Sequence, residues 1–254
     1  MPDALHAADR AVVDHLVEEA LALLDDGRDE AAARNLAEAQ ALAPHDPTVL
    51  AALGELSGAL GRLDEARDHL RAAIAAFERA GPPIDRAPAL ADAHHALARL
   101  HQDAGEHDLQ VHHDLEVSRL DAAAHRRAGL GSRRDLALVE RATAQALDRI
   151  PEPFQARLRN VPVVLEPRPS IELVREGFDP RALGLFEGPD DLGRLSVEAG
   201  PADRPTRIVL FFANLLDAFP DDGELCRQVE ITLLHEIGHF FGLDEDEVDA
   251  LGLG

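Results

Sequence analysis

Between residues 16 and 73 the chain repeats itself at one fixed interval. Gly27-Arg28-Asp29-Glu30-Ala31-Ala32 recurs as Gly61-Arg62-Leu63-Asp64-Glu65-Ala66. The same interval carries Leu16 onto Leu50, Leu36 onto Leu70 and Ala39 onto Ala73. A unit this short cannot bury its own apolar face and becomes stable only when neighbours stack on it. The repeat therefore commits this stretch to an array of helices, and its composition agrees. Residues 1–130 are rich in Ala, Leu, Glu and Arg, all of which favour helix.

The step from Gly27 to Gly61 is the tetratricopeptide period. Leu53-Gly54, Ala66, Leu70 and Ala73 in one unit, and Ala32, Leu36, Ala39 and Pro44 in the one before it, fall where that signature has them. The stretch resembles a tetratricopeptide array, which implies paired helices brought close by small residues; its role reads either as a concave surface for a protein partner or as a spacer that packs on a second module. A third, degraded unit is expected around Leu97-Ala98 and Gly105, after an insertion containing Gly81-Pro82-Pro83. His94, His95, His101, His107, His112 and His113 crowd that unit without a known ligand spacing, and solvated helix faces are expected for them.

Composition breaks near residue 130. Eight of nine Phe lie after residue 150, and eleven of thirteen His lie before residue 126. Ala128-Gly129-Leu130-Gly131-Ser132 is a plausible joint. The expected organisation is an all-α repeat domain at residues 1–130 and a second domain at residues 131–254. The net charge of −23 is shared between them, with 12 basic and 24 acidic residues before the joint and 13 and 24 after it. Such a charge repels phosphate backbones and anionic lipid, so neither nucleic acid nor membrane is expected as a partner. One cysteine, Cys226, excludes an intrachain disulfide. With no basic, apolar leader at Met1-Pro2-Asp3-Ala4, the expected location is cytoplasmic.

The second domain carries the chemistry. His235-Glu236-Ile237-Gly238-His239 puts two imidazoles four residues apart, on one face of a helix. Glu236 lies about 100° round from His235, which suits a general base beside a metal-polarised water better than a ligand. The helix is well marked: Asp221 with Glu224 forms a capping-box start after Pro220, no Pro interrupts Leu225 to Phe241, and Gly242 stops it. Two histidines on so apolar a helix are costly to bury unless paired, and a divalent metal pairs them.

No other histidine exists in this domain. Cys226 is about 180° round the helix from His235, and Glu224 is about 16 Å up its axis. Downstream, Gly242 lets the chain reverse, and Asp244-Glu245-Asp246-Glu247 follows. The pattern is similar to the metzincin spacing, which implies Glu245 as third ligand; Asp244 and Asp246 are alternatives. A structural role runs alongside, with Asp244 capping a short last helix and Glu247 closing the box.

Residues 133–254 resemble the short zincin-like metallopeptidases, bacterial domains with this helix near the C-terminus. The resemblance rests on Phe154 to Glu166, Leu183 to Gly188, Arg207 to Phe212 and Thr232 to Glu247. It implies a small α+β core, in which a sheet backs the metal helix. The residues agree independently. Val161–Glu166 and Ile208–Phe212 read as strands. Ser132 with Asp135 caps a helix running to Ile150 and ended by Pro151. The expected fold is thus α+β overall.

The resemblance implies one catalytic Zn²⁺ per chain on His235, His239 and Glu245, with Glu236 as base, and a peptide or protein substrate. Oxyanion stabilisation is the open element, because the chain has no Tyr. Arg207, Arg227, another Arg or a main-chain N–H must supply it. Leu183 to Gly188 reads either as an edge strand able to pair with extended peptide or as a buried structural strand. The alternative function is a noncatalytic adaptor, with a structural metal and a partner-binding repeat.

Overall fold

The computed structural model describes residues 7–80, 87–188, 206–244 and 246–247. The Gly81-Pro82-Pro83 insertion and Glu245 lie outside the described residues. The fold is α+β and divides into two compact units, residues 1–124 with 174–177 and residues 125–173 with 178–254.

The first unit is all helix: α1 (Ala7–Asp25), α2 (Asp29–Leu42), α3 (Pro47–Ala59), α4 (Leu63–Ala80), α5 (Ala87–Asp103) and the start of α6 (His107–Ala128). One turn recurs three times. Gly27, Gly61 and Gly105 have φ of 69°, 70° and 70°, the left-handed conformation that glycine adopts without Cβ strain. In each turn the next residue's N–H reaches back to the helix before it: Arg28 to the Leu23 carbonyl, Arg62 to Ser57 and Glu106 to His101. This is the glycine helix stop with its carbonyls satisfied. The repeat-equivalent pairs Ala32 and Ala66, Leu36 and Leu70, and Ala39 and Ala73 are all buried. Gly54 shows why small residues are required, since a Cβ there would lie 2.6 Å from Leu70 Cγ. Asp46 starts α3 by accepting from the Thr48 and Val49 N–H groups.

The histidines of α5 and α6 overturn one expectation. His94 is 5% exposed and His101 1%, so these two do not occupy solvated faces; His107 and His112 do. Positions 94, 97, 98 and 101 form one inward stripe with Leu97 and Ala98, at the spacing of an apolar helix face. The imidazoles are tolerated there because they are paired. His94 Nδ1 and His113 Nδ1 are 2.9 Å apart, His101 Nδ1 meets the Glu106 carboxylate, and the His101 and His113 rings stack at 5.6 Å.

The second unit opens with α7 (Arg133–Arg149), started by the expected reciprocal Ser132–Asp135 box. After α8 (Glu152–Leu158) comes β1 (Val163–Glu166), then α9 (Ile171–Arg175), β2 (Gly184–Glu187), β3 (Arg207–Phe211), α10 (Phe212–Ala218) and α11 (Asp222–Phe240). The sheet order is β1-β3-β2, with β1 parallel and β2 antiparallel to β3. The central strand is the apolar one: Ile208, Val209, Leu210 and Phe211 are at most 1% exposed. Ile208 and Leu210 share a core with Val139 and Ala142 of α7 and with Leu225, Val229, Leu233, Ile237 and Phe240. Those last five form the helical stripe that seats α11 on the sheet. Arg207 bridges its register partner Glu187 on β2 and Glu166, the last residue of β1. Among the described residues no helix is long and apolar enough to cross a membrane.

Candidate metal centre

Helix α11 begins and ends where its sequence says. The Asp221 carboxylate accepts from the Gly223 and Glu224 N–H groups. Glu224 does not complete the expected box in the hydrogen bonds seen; its carboxylate receives Arg227 and Gln228. At the other end Gly242 has φ 85°, and the Leu243 N–H reaches back to the Gly238 carbonyl. The chain reverses under the last turn, as the glycine allows.

That reversal prepares one imidazole. His239 Nδ1 lies 3.1 Å from the Leu243 carbonyl oxygen. A carbonyl only accepts, so Nδ1 carries the proton and Nε2 carries the lone pair. His239 Nε2 is 2.9 Å from His235 Nε2. The rings stand edge to face, with centroids 4.6 Å apart. Two nitrogen ligands of one tetrahedral zinc, each at about 2.0–2.1 Å, lie roughly 3.3 Å apart. The pair is within a few tenths of an ångström of that spacing. A cation held between the two Nε2 atoms would replace their mutual contact, so the donor pair fits zinc. The carbonyl bond to Nδ1 is the outer support that orients a metal-binding histidine.

Glu236 is 7% exposed and lies beside this pair on the same cavity. The cavity, of about 590 Å³, runs between α11 and the segment leading through β2. His235, Glu236, His239, Thr232, Ile231 and Gln228 line it from the helix. Phe178, Leu185 and Phe186 give it apolar walls on the other side. Gln228 was not singled out from the sequence, yet it lies seven residues before His235, two helical turns up the same face.

Among the described residues β2 lies at one edge of the sheet. Leu183 accepts from the Phe211 N–H, and the register pairs Leu185 with Val209 and Glu187 with Arg207. Hydrogen-bonded and non-hydrogen-bonded pairs alternate in an antiparallel ladder. Gly184 and Phe186 therefore direct their main-chain N–H and C=O away from β3. Phe186 also meets the Phe240 ring edge to face at 5.9 Å, tying the edge strand to the end of α11.

Neither arginine named from the sequence lines this cavity. Arg207 is held between Glu187 and Glu166, which hold its guanidinium more firmly protonated than usual, and Arg227 pairs with Glu224 on an exposed face. Asp244 and Glu247 make the expected reciprocal cap, at 2.9 and 3.0 Å. Among the described residues no group of three or more His, Cys, Asp or Glu side chains converges as a metal centre. The third ligand expected at Glu245 lies outside them.

The second unit thus sets a small sheet behind a helix that carries an HExxH sequence, a spacing also found in metal-dependent hydrolases. Residues 158–254 match the family described as zincin-like metallopeptidase. No curated protein sequence matches the chain.

Proposed function

We propose that this chain is a cytoplasmic zinc metallopeptidase, with a zincin-like catalytic domain at residues 131–254. In this reading residues 1–130 are a tetratricopeptide-like domain that recruits the substrate or a partner protein. His235, His239 and Glu245 hold one Zn²⁺, and Glu236 is the catalytic base. The observation that carries the reading is the approach of the two Nε2 atoms to 2.9 Å, with a buried carboxylate on the same cavity wall. The family match over residues 158–254 supports it.

Bound zinc supplies Lewis acidity, polarising the scissile carbonyl and lowering the pKa of the attacking water. The remaining work belongs to the chain. An extended peptide pairs with the outward N–H and C=O groups of Gly184 and Phe186 and so lies along the cavity. Glu236 takes the proton from the attacking water and returns it to the leaving nitrogen. Among the described residues, the side chains lining the cavity include no Arg and no Tyr. A main-chain N–H of β2 is then the chain's own donor to the oxyanion.

The absence of an Arg among the described lining residues favours a second reading, a noncatalytic adaptor with a structural metal. Metal analysis of protein purified without chelator, with casein cleavage by wild type and Glu236→Gln, separates the two. The enzyme reading expects one zinc per chain in both proteins and loss of cleavage in Glu236→Gln. Zinc without cleavage in either protein supports the adaptor, and protein without metal refutes both.

A further inference from the structure

Gly184 occupies an ordinary strand position, paired in register with Leu210, and its φ lies outside the left-handed region. The backbone therefore gives no reason for glycine there. A glycine inside a strand costs conformational entropy and offers no side chain to pack. The reason lies on α11. A Cβ at Gly184 would stand 2.8 Å from Glu236 Oε1, 3.0 Å from Glu236 Cγ and 2.8 Å from Thr232 Cγ2. Non-bonded carbon contacts relax at about 3.5–4.0 Å. Even one methyl group cannot be added unless something gives way. Thr232 is buried, and its β-branched side chain is stiff in a helix. Glu236 is long and unbranched, so its carboxylate is displaced, while β2 must also back away from Thr232.

We propose that Gly184 is a positioning residue: the absence of its side chain lets β2 close on α11 and fixes where the Glu236 carboxylate stands beside the His235–His239 pair. The catalytic consequence rests on reading Glu236 as the proton carrier; the contact itself does not. The smallest side chain at 184 displaces the carboxylate by roughly 0.5–1 Å. Misplacement on that scale at a reacting group costs up to about a hundredfold in rate. Substrate binding along β2 uses main-chain groups that an alanine retains, so the loss falls on kcat.

The test is a double-mutant cycle in the zinc-loaded full-length protein, read in two ways. In thermal unfolding, Gly184→Ala lowers Tm, and it lowers Tm by less when Glu236→Ala has already removed the carboxylate, the Thr232 contact persisting in both backgrounds. Equal shifts in both backgrounds overturn the proposal. In cleavage of fluorescein-labelled casein, Gly184→Ala lowers kcat by roughly ten- to a hundredfold while KM and zinc content stay unchanged. In the Glu236→Gln background it adds no further loss. A change confined to KM, loss of the metal, or losses that multiply would each overturn it. Intact Tm coupling in a wild type that leaves casein uncut counts against the peptidase reading and leaves the Gly184–Glu236 contact standing.

Discussion

Lowering the pH from 7.5 to 5 is expected to destabilise the helical unit through His113. Burial pushes its pKa down from 6.5 to about 3, helped by the charges of His94, His112, His101 and Arg71. His94 shifts the same way, again mainly by burial, against the opposing pull of Glu116 and Glu78. The sign follows from proton uptake. Between pH 6.5 and 3 the unfolded chain binds a proton at residue 113 and the folded chain does not, so stability falls as the pH falls through that window. At pH 5 the unfolded imidazole is almost fully protonated, and the penalty from His113 alone is about 2 kcal/mol. That figure barely changes for any folded pKa below about 4, since the folded form is neutral either way.

Urea unfolding at pH 7.5 and pH 5, for wild type and His113→Asn, isolates this effect. Asn places an amide donor near the position of Nδ1 and does not titrate. Ordinary carboxylates contribute equally to both proteins and cancel in the comparison. The wild type should lose about 2 kcal/mol more than the variant between the two pH values. Equal losses would refute the reasoning, because they would mean the buried imidazoles take up protons without cost.

Four further outcomes are expected. Gly54→Ala should cost about 1–3 kcal/mol by urea unfolding, since its Cβ would press to 2.6 Å against the buried Leu70. Arg207→Met should lower the stability of the second unit by about 1 kcal/mol, the modest value of a partly exposed bridge, measured by unfolding at low and high salt. Glu245→Ala should weaken zinc binding, followed by competition with a chelator, by roughly ten- to a hundredfold or more. Asp244→Ala should leave zinc affinity intact, because Asp244 already accepts the Glu247 N–H.

Determinants that act within one turn of chain are readable in the sequence, and they define the ends of the elements. Asp221 and Gly242 mark the two ends of α11, Ser132 and Asp135 start α7, and Asp244 with Glu247 closes the short cap after α11; each bond joins near neighbours in the chain. The stacked repeat is readable for a related reason, since Ala32 and Ala66 solve the same local packing problem one repeat apart. The histidines of α5 mislead because chemistry and spacing disagree there. Imidazole suggests solvent, while positions 94 and 101 continue the apolar stripe of Leu97 and Ala98; burial prevails because His113 and Glu106 satisfy the two rings. Gly184 is the opposite case. In sequence it is one glycine in Leu183-Gly184-Leu185-Phe186, with nothing local to explain it. Its cause is Glu236, far along the chain on the last long helix, and it emerges only once β2 is laid against α11. Motif and register thus give complementary information. The spacing of His235 and His239 indicates where a metal can sit, and the antiparallel pairing of Gly184 with Leu210 brings a bare stretch of main chain against the carboxylate beside it. Most of the residues proposed for the chemistry lie on one helix, but the placement of the Glu236 carboxylate depends on a strand that sets only a glycine against it.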